Sequence, residues 1–216
     1  DNNTAIGRGA LASNTTGANN TAVGNSSLDA NTTGTQNTAT GKDALTNTTT
    51  GSYNSGFGRD ALYYNNTGAS NTAVGTDAMQ NNTTGSYNVA VGHDALDANT
   101  TANENVAVGY LSMTANTTGS QSVSYGSYAL SSNTTGAYLT ALGKSALGAN
   151  TTANNNTAVG HTSMQANTTG SENTAIGRLT LYTNTTGHNN CSMGYHSMQA
   201  NTSGAYNVAL GNYTVD

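Results

Sequence analysis

The sequence predicts an all-β chain: a parallel β-solenoid, or β-roll, of about 13 coils with 17 residues in each. Three observations carry this. The pentapeptide Asn-Thr-Ala-Val-Gly, or a close variant, starts at residues 3, 20, 37, 54, 71, 88, 105, 122, 139, 156, 173, 190 and 207, so every interval is 17, with no insertion or deletion. Asn (33), Thr (39) and Gly (26) make 98 of the 216 residues and Pro is absent, a composition poor in helix formers. Within the pentapeptide, side chains alternate with the period of a strand rather than a helix. Such a composition alone would suit a disordered linker. A linker gains nothing from fixed register, whereas units that pack on one another in the same manner require it.

The unit reads N-T-A-V-G-x-D-A-L-x-x-N-T-T-G-x-x, positions 1 to 17. Residues 1–216 make a single repeat domain, with twelve full units over 3–206 and a partial unit over 207–216. Positions 2 to 4 are expected to form a strand. Gly at position 5 ends it and permits a bend that a Cβ would block. Positions 7 to 9 are expected to form a second short strand, and Asn-Thr-Thr-Gly at 12 to 15 is turn chemistry. Position 4 is large and apolar in every unit except at Thr40, and position 9 is Leu or Met until Val215. Both columns are therefore expected in the core. The small residues at position 3 suggest a flat face on which chains approach one another.

Two Asn columns stand out. Position 1 carries Asn3, Asn20, Asn37, Asn54, Asn71, Asn88, Asn105, Asn156, Asn173, Asn190 and Asn207, with Ser122 and Leu139 as exceptions. Stacked identical amides hydrogen-bond along the stacking direction, so this column is expected to be a structural ladder. Position 12 carries Asn14, Asn31, Asn65, Asn82, Asn99, Asn116, Asn133, Asn150, Asn167, Asn184 and Asn201, with a one-residue shift to Asn47. Each begins an Asn-x-Ser/Thr triplet, the N-glycosylation acceptor pattern. Turn formation and a buried ladder explain the column as well; its place next to a Gly turn points to exposure, and regular glycosylation of this turn stands as an open alternative beside them.

Asp43, Asp60, Asp77 and Asp94 occupy position 7 of successive units. The column reads either as a cation site or as an exposed file eased by Lys42, Arg59 and His93, and the second reading is preferred because solvent screens the repulsion. His93, His161, His188 and His196 lie in different columns or four coils apart, so no set of metal-ligating histidines converges. No nucleophile elbow, phosphate-binding loop or dinucleotide fingerprint occurs. No enzyme activity, metal or cofactor is expected. Cys191 takes the Thr place at position 2 and reads as a core-side variant. The net charge is −5 with only 5 Lys and Arg, which argues against nucleic-acid or anionic-membrane partners. No apolar run reaches the ~18 residues of a spanning helix.

The motif Asn-Thr-Ala-Val-Gly-x-x-Ala-Leu-x-x-Asn-Thr-Thr-Gly resembles a repeat of long bacterial surface and phage tail-fibre-like proteins. Asn3-Thr-Ala-Ile-Gly7 and Asn173-Thr-Ala-Ile-Gly177 are similar to the head repeat of trimeric autotransporter adhesins, although those coils are somewhat shorter. The resemblance covers the whole chain. It implies a parallel β-roll, usually trimeric, serving as a shaft or adhesive surface outside the cell.

The expected function is therefore structural: an extracellular filament or fibre shaft, glycosylated and adhesive towards cell-surface glycans or receptors. Units without atypical caps suggest a segment of a longer fibre. The expected partner is the chain itself, as a homotrimer or an end-to-end filament. The alternative is a binding module, an ice-binding or glycan-binding β-solenoid.

Overall fold

A computed structural model describes residues 2–215. They fall into two compact units, one up to Asn105 and one from Val106 onward. The first contains strands β1 (Thr4–Ile6), β2 (Thr21–Val23), β3 (Thr38–Thr40), β4 (Ser55–Phe57), β5 (Thr72–Val74) and β6 (Val89–Val91). The second contains β7 (Val106–Val108), β8 (Val123–Tyr125), β9 (Thr140–Leu142), β10 (Thr157–Val159), β11 (Thr174–Ile176), β12 (Cys191–Met193) and β13 (Val208–Leu210). Within each unit successive strands pair in parallel at an offset of 17 residues, as in Thr72↔Val89 and Thr157↔Thr174. The chain is thus an all-β parallel β-solenoid with 17-residue coils, and no helix occurs among the described residues.

Among the described residues each coil carries one three-residue strand and no other. The second, expected at positions 7 to 9, is a turn instead. Its residues take left-handed backbone at positions 7 and 9, with φ of 58° and 55° at Asp43 and Leu45. Left-handed backbone costs a non-glycine residue about 1–2 kcal/mol. Hydrogen bonding between coils offsets it: the Asp43 N–H donates to the Asn25 carbonyl of the preceding coil at 2.9 Å, and the Leu45 N–H donates to the Ala61 carbonyl of the following coil at 2.9 Å. Turn residues therefore bond from coil to coil as strand residues do.

The core is narrow, and this corrects two expectations. Positions 2 and 4 share one face of a three-residue strand and position 3 faces the other way. Position 3 is the inward one: Ala22, Ala39, Ala73, Ala90, Ala141, Ala158 and Ala175 are fully buried. Position 4, expected in the core, points outward, leaving Ile6, Tyr125 and Leu210 exposed by 60%, 61% and 65%. The large inward residue is position 9, where Leu28, Leu45, Leu62, Met79, Leu96, Leu130, Leu147 and Leu181 are fully buried, joined in one coil by Leu139 at position 1. That side chain reaches across the coil to the back of the strand. A Cβ added at Gly56, a position-3 residue, would lie 3.3 Å from Leu45 Cδ1. Only Ala, Ser or Gly fits opposite such a Leu, so the large residue at position 4 has no room inside. The small position-3 column is accordingly interior and offers no face for another chain.

Gly at position 5 is required twice over. At Gly75 φ is +138°, and a Cβ there would sit 2.5 Å from the Gly92 carbonyl oxygen of the next coil.

Candidate functional site

The interior is lined by amides. Asn20 Nδ2 donates to the Gly34 carbonyl of its own coil at 2.9 Å, and Asn20 Oδ1 accepts the backbone N–H of Asn37 in the next coil at 2.9 Å. The link from Oδ1 to the next N–H repeats from Asn3 to Asn105 in the first unit and from Asn156 to Asn207 in the second, at 2.8–3.0 Å. Each position-1 amide therefore closes its own coil and fixes the register of its neighbour. At Ser122 the hydroxyl accepts the Leu139 N–H at 3.1 Å instead.

Position 12 overturns the expectation of exposure, on which the glycosylation reading leans. Asn31, Asn65, Asn82, Asn99, Asn116, Asn133, Asn150, Asn167 and Asn184 are fully buried, and Asn14 and Asn201 are half-buried. Asn82 Nδ2 donates to Asn65 Oδ1 at 2.7 Å and to the Gly85 carbonyl at 2.9 Å. The same pair of bonds recurs at Asn133, Asn150, Asn167, Asn184 and Asn201 in the second unit. A sugar attaches to this nitrogen and needs room and a free N–H, and the folded coil leaves neither. Asn47, at position 11, is half-buried and donates to the Tyr63 carbonyl at 2.9 Å. The position-12 asparagines are a second interior ladder. Exposure was misjudged because the turn beginning at position 12 folds its first side chain inward.

The outer surface carries three distinct features. The first is the strand face. Position 4 offers a file of apolar side chains: Phe57, Val74 and Val91 in the first unit, Leu142, Val159, Ile176 and Met193 in the second, all half-buried or exposed. Position 2 runs beside it with Thr21, Thr38, Ser55 and Thr72 in the first unit, all half-buried. Cys191 belongs to this outward file as a half-buried free thiol, not to the core side.

The second feature is the acidic corner of the first unit. Lys42 pairs with Asp43 at 2.9 Å, Arg59 with Asp60 at 3.3 Å and with Asp77 at 3.0 Å, and His93 with Asp94 at 2.8 Å. The neighbours Lys42, Arg59 and His93 are those read from the sequence. The carboxylates are more covered than expected, with 17–27% of the side chain exposed at Asp77 and Asp94. Burial raises the Asp60 carboxyl despite Arg59. Asp97, half-buried three residues on from Asp94, is pushed up to about 6 by burial and by the charges of Asp94 and Asp77. The Asp43 hydrogen bond and charge raise Lys42. Ligand atoms of Asp77, His93 and Asp94 lie within 4.8 Å of one another. The four histidines do not converge with one another, so this set does not show in their columns. The signal lies in the register: Asp77 is 17 residues before Asp94 and so stands beside it.

The third feature is a pair of open grooves. One, of about 680 Å³ in the first unit, places Tyr64 beside Asn47, Asn66 and Asn81. The other, of about 440 Å³ in the second unit, lies between Tyr128 and Tyr182 over Gly148.

No helix among the described residues is long and apolar enough to cross a membrane. No known family model, curated protein or solved structure matches the chain.

Proposed function

We propose that the chain is a structural segment of an extracellular fibre or filament, whose copies associate side by side through the outward face of the strands. The observation that carries this is the apolar file at position 4, which a narrow core turns outward in both units. Full burial of an exposed Val, Ile or Leu contributes about 1.5–3 kcal/mol, and each position-4 side chain, already partly covered, gains a fraction of that, so it takes the whole file of coils to offset the ~4–15 kcal/mol cost of association. A homotrimer is the favoured form, since three chains about one axis cover one such face each. The sequence resemblance to surface and fibre repeats supports both the trimer and the location outside the cell. Adhesion is a secondary role, and the groove beside Tyr64 suits a neutral glycan, with a ring to stack on and amides to hydrogen-bond. The reading assigns no catalysis. Electron microscopy at rising concentration tests it: associated assemblies are expected, and isolated 21.7 kDa particles at every concentration would overturn it.

One observation favours a second reading, an ice-binding face. In the first unit position 2 presents a hydroxyl in five of six strands, at Thr4, Thr21, Thr38, Ser55 and Thr72, beside the apolar file. Thermal hysteresis of the purified chain tests it, and its absence removes the reading.

A further inference from the structure

We propose that Asp77, His93 and Asp94 form a site for one divalent cation of the zinc class, bound across two adjacent coils of the first unit. The ligand atoms come from position 7 of one coil and positions 6 and 7 of the next. One nitrogen and two carboxylate oxygens lie within 4.8 Å of one another. Two ligands of a tetrahedral first-row ion at ~2.0–2.2 Å stand ~3.3–3.6 Å apart, so side-chain rotations that move donor atoms by about 1 Å close the set.

The backbone fixes the donors. Asp77 and Asp94 share the same left-handed conformation, with φ of 56° and 53°. The Asp77 N–H donates to the Arg59 carbonyl at 3.0 Å, and the Asp94 N–H to the Thr76 carbonyl at 3.2 Å. The two carboxylates therefore project from equivalent places on adjacent coils. Gln80 Nε2 donates to Asp77 Oδ1 at 3.0 Å and orients that carboxylate, the part an outer partner plays for a metal ligand.

Charge distinguishes this end of the acidic file. Asp43 and Asp60 each have a Lys or Arg partner in the adjacent position, and Asp77 leans on Arg59, whereas position 6 beside Asp94 is an imidazole. Asp97 adds a third carboxyl close by. A divalent cation supplies the charge that the sequence lacks here. The mixed imidazole and carboxylate set selects Zn²⁺, Ni²⁺ or Cu²⁺ over Ca²⁺ and Mg²⁺, which favour all-oxygen shells. Three protein donors leave the remaining positions to water.

Titration of the full chain with Zn²⁺, followed by calorimetry and by imidazole NMR resonances, tests the site. One equivalent is expected to bind, with His93 shifting and His161, the other position-6 histidine, unmoved. His93→Gln keeps every carboxylate and is expected to weaken binding on the order of 100-fold. Asp94→Asn should do the same, and unchanged far-UV circular dichroism verifies that both variants fold. Equal shifts of all four histidines, or a His93→Gln variant binding as tightly as the wild type, would mean diffuse counterion attraction and would overturn the proposal. So would the absence of any heat or shift at millimolar Zn²⁺.

Discussion

Asn31 Oδ1 is buried without a hydrogen-bond partner because Thr48 stands in the next coil where its neighbours carry Asn. Elsewhere in this ladder the Asn of one coil donates to the Asn of the coil before it, as Asn99 does to Asn82 at 2.7 Å. Thr has no Nδ2 to offer. The Asn-x-Thr triplet, not the coil register, is displaced by one residue at this point, so that Asn47 lies at position 11 and donates to the Tyr63 carbonyl instead.

Thr48→Asn should therefore stabilise the chain. It gives Asn31 Oδ1 its missing donor, and an unmet buried acceptor costs about 1–3 kcal/mol. Urea unfolding is expected to show a higher midpoint with unchanged slope. A lower midpoint would mean that the coil has closed around the Thr methyl.

Two glycine substitutions should differ in severity. Gly75→Ala places a methyl 2.5 Å from the Gly92 carbonyl oxygen at φ +138°. Gly136→Ala places one 2.4 Å from the Ala153 carbonyl oxygen and 2.5 Å from Asn133 Oδ1, so the crowding is as close, but without positive φ. Position 15 already holds Ala102 and Ala153, both 2% exposed, so its coils shift enough to admit a methyl. Thermal melts should show a large loss for Gly75→Ala, of about 3 kcal/mol or more, and a much smaller one for Gly136→Ala. Equal losses would contradict the role given to the backbone angle.

Leu96 and Val91 belong to one coil and should respond in opposite ways. Leu96 is fully buried, and Leu96→Ala is expected to cost about 2–5 kcal/mol. Val91 faces outward and is half-buried, so Val91→Thr should change the stability of the unassociated chain by ~0.5 kcal/mol or less. A large loss at Val91 measured on dilute protein would place that side chain inside.

Asp97 makes stability depend on pH. Its carboxyl is raised from 3.8 to about 6 in the folded chain, so between these values the folded chain holds the proton more tightly than the unfolded chain does. This contribution to stability falls as pH rises through that window and stays low above it. Asp97→Asn keeps an acceptor for Asn81 Nδ2, now at 3.2 Å, and removes the charge beside Asp94 and Asp77. The variant is expected to gain melting temperature over the wild type at neutral pH and little below about pH 3.8. A gain independent of pH would contradict the burial of this charge.

The 17-residue period made the coil legible, because an in-register repeat leaves no other way to stack the units. Which face of the strand turns inward was not legible. In Thr-Ala-Val the alternation is plain, but hydrophobicity points to Val, whereas the space beside a buried Leu45 admits only a small residue, here Gly56. The turn at Asp43-Ala44-Leu45 looks like a strand because nothing in its residue types announces left-handed backbone. The position-12 asparagines carried an acceptor motif and a ladder pattern at once, and burial alone separates them. Lys42, Arg59 and His93 could be matched to their carboxylates because chain neighbours and coil neighbours are both fixed by register. The same register joins Asp77 to Asp94, 17 residues on, and to His93 beside it.

Sedimentation equilibrium on the wild type and on a variant carrying Phe57→Asn, Val74→Asn and Val91→Asn bears most directly on side-by-side association through the strand face. The wild type is expected at a multiple of 21.7 kDa, and the variant at 21.7 kDa with unchanged far-UV circular dichroism. A wild type that stays at 21.7 kDa at every concentration, or a variant that assembles as the wild type does, would contradict the account.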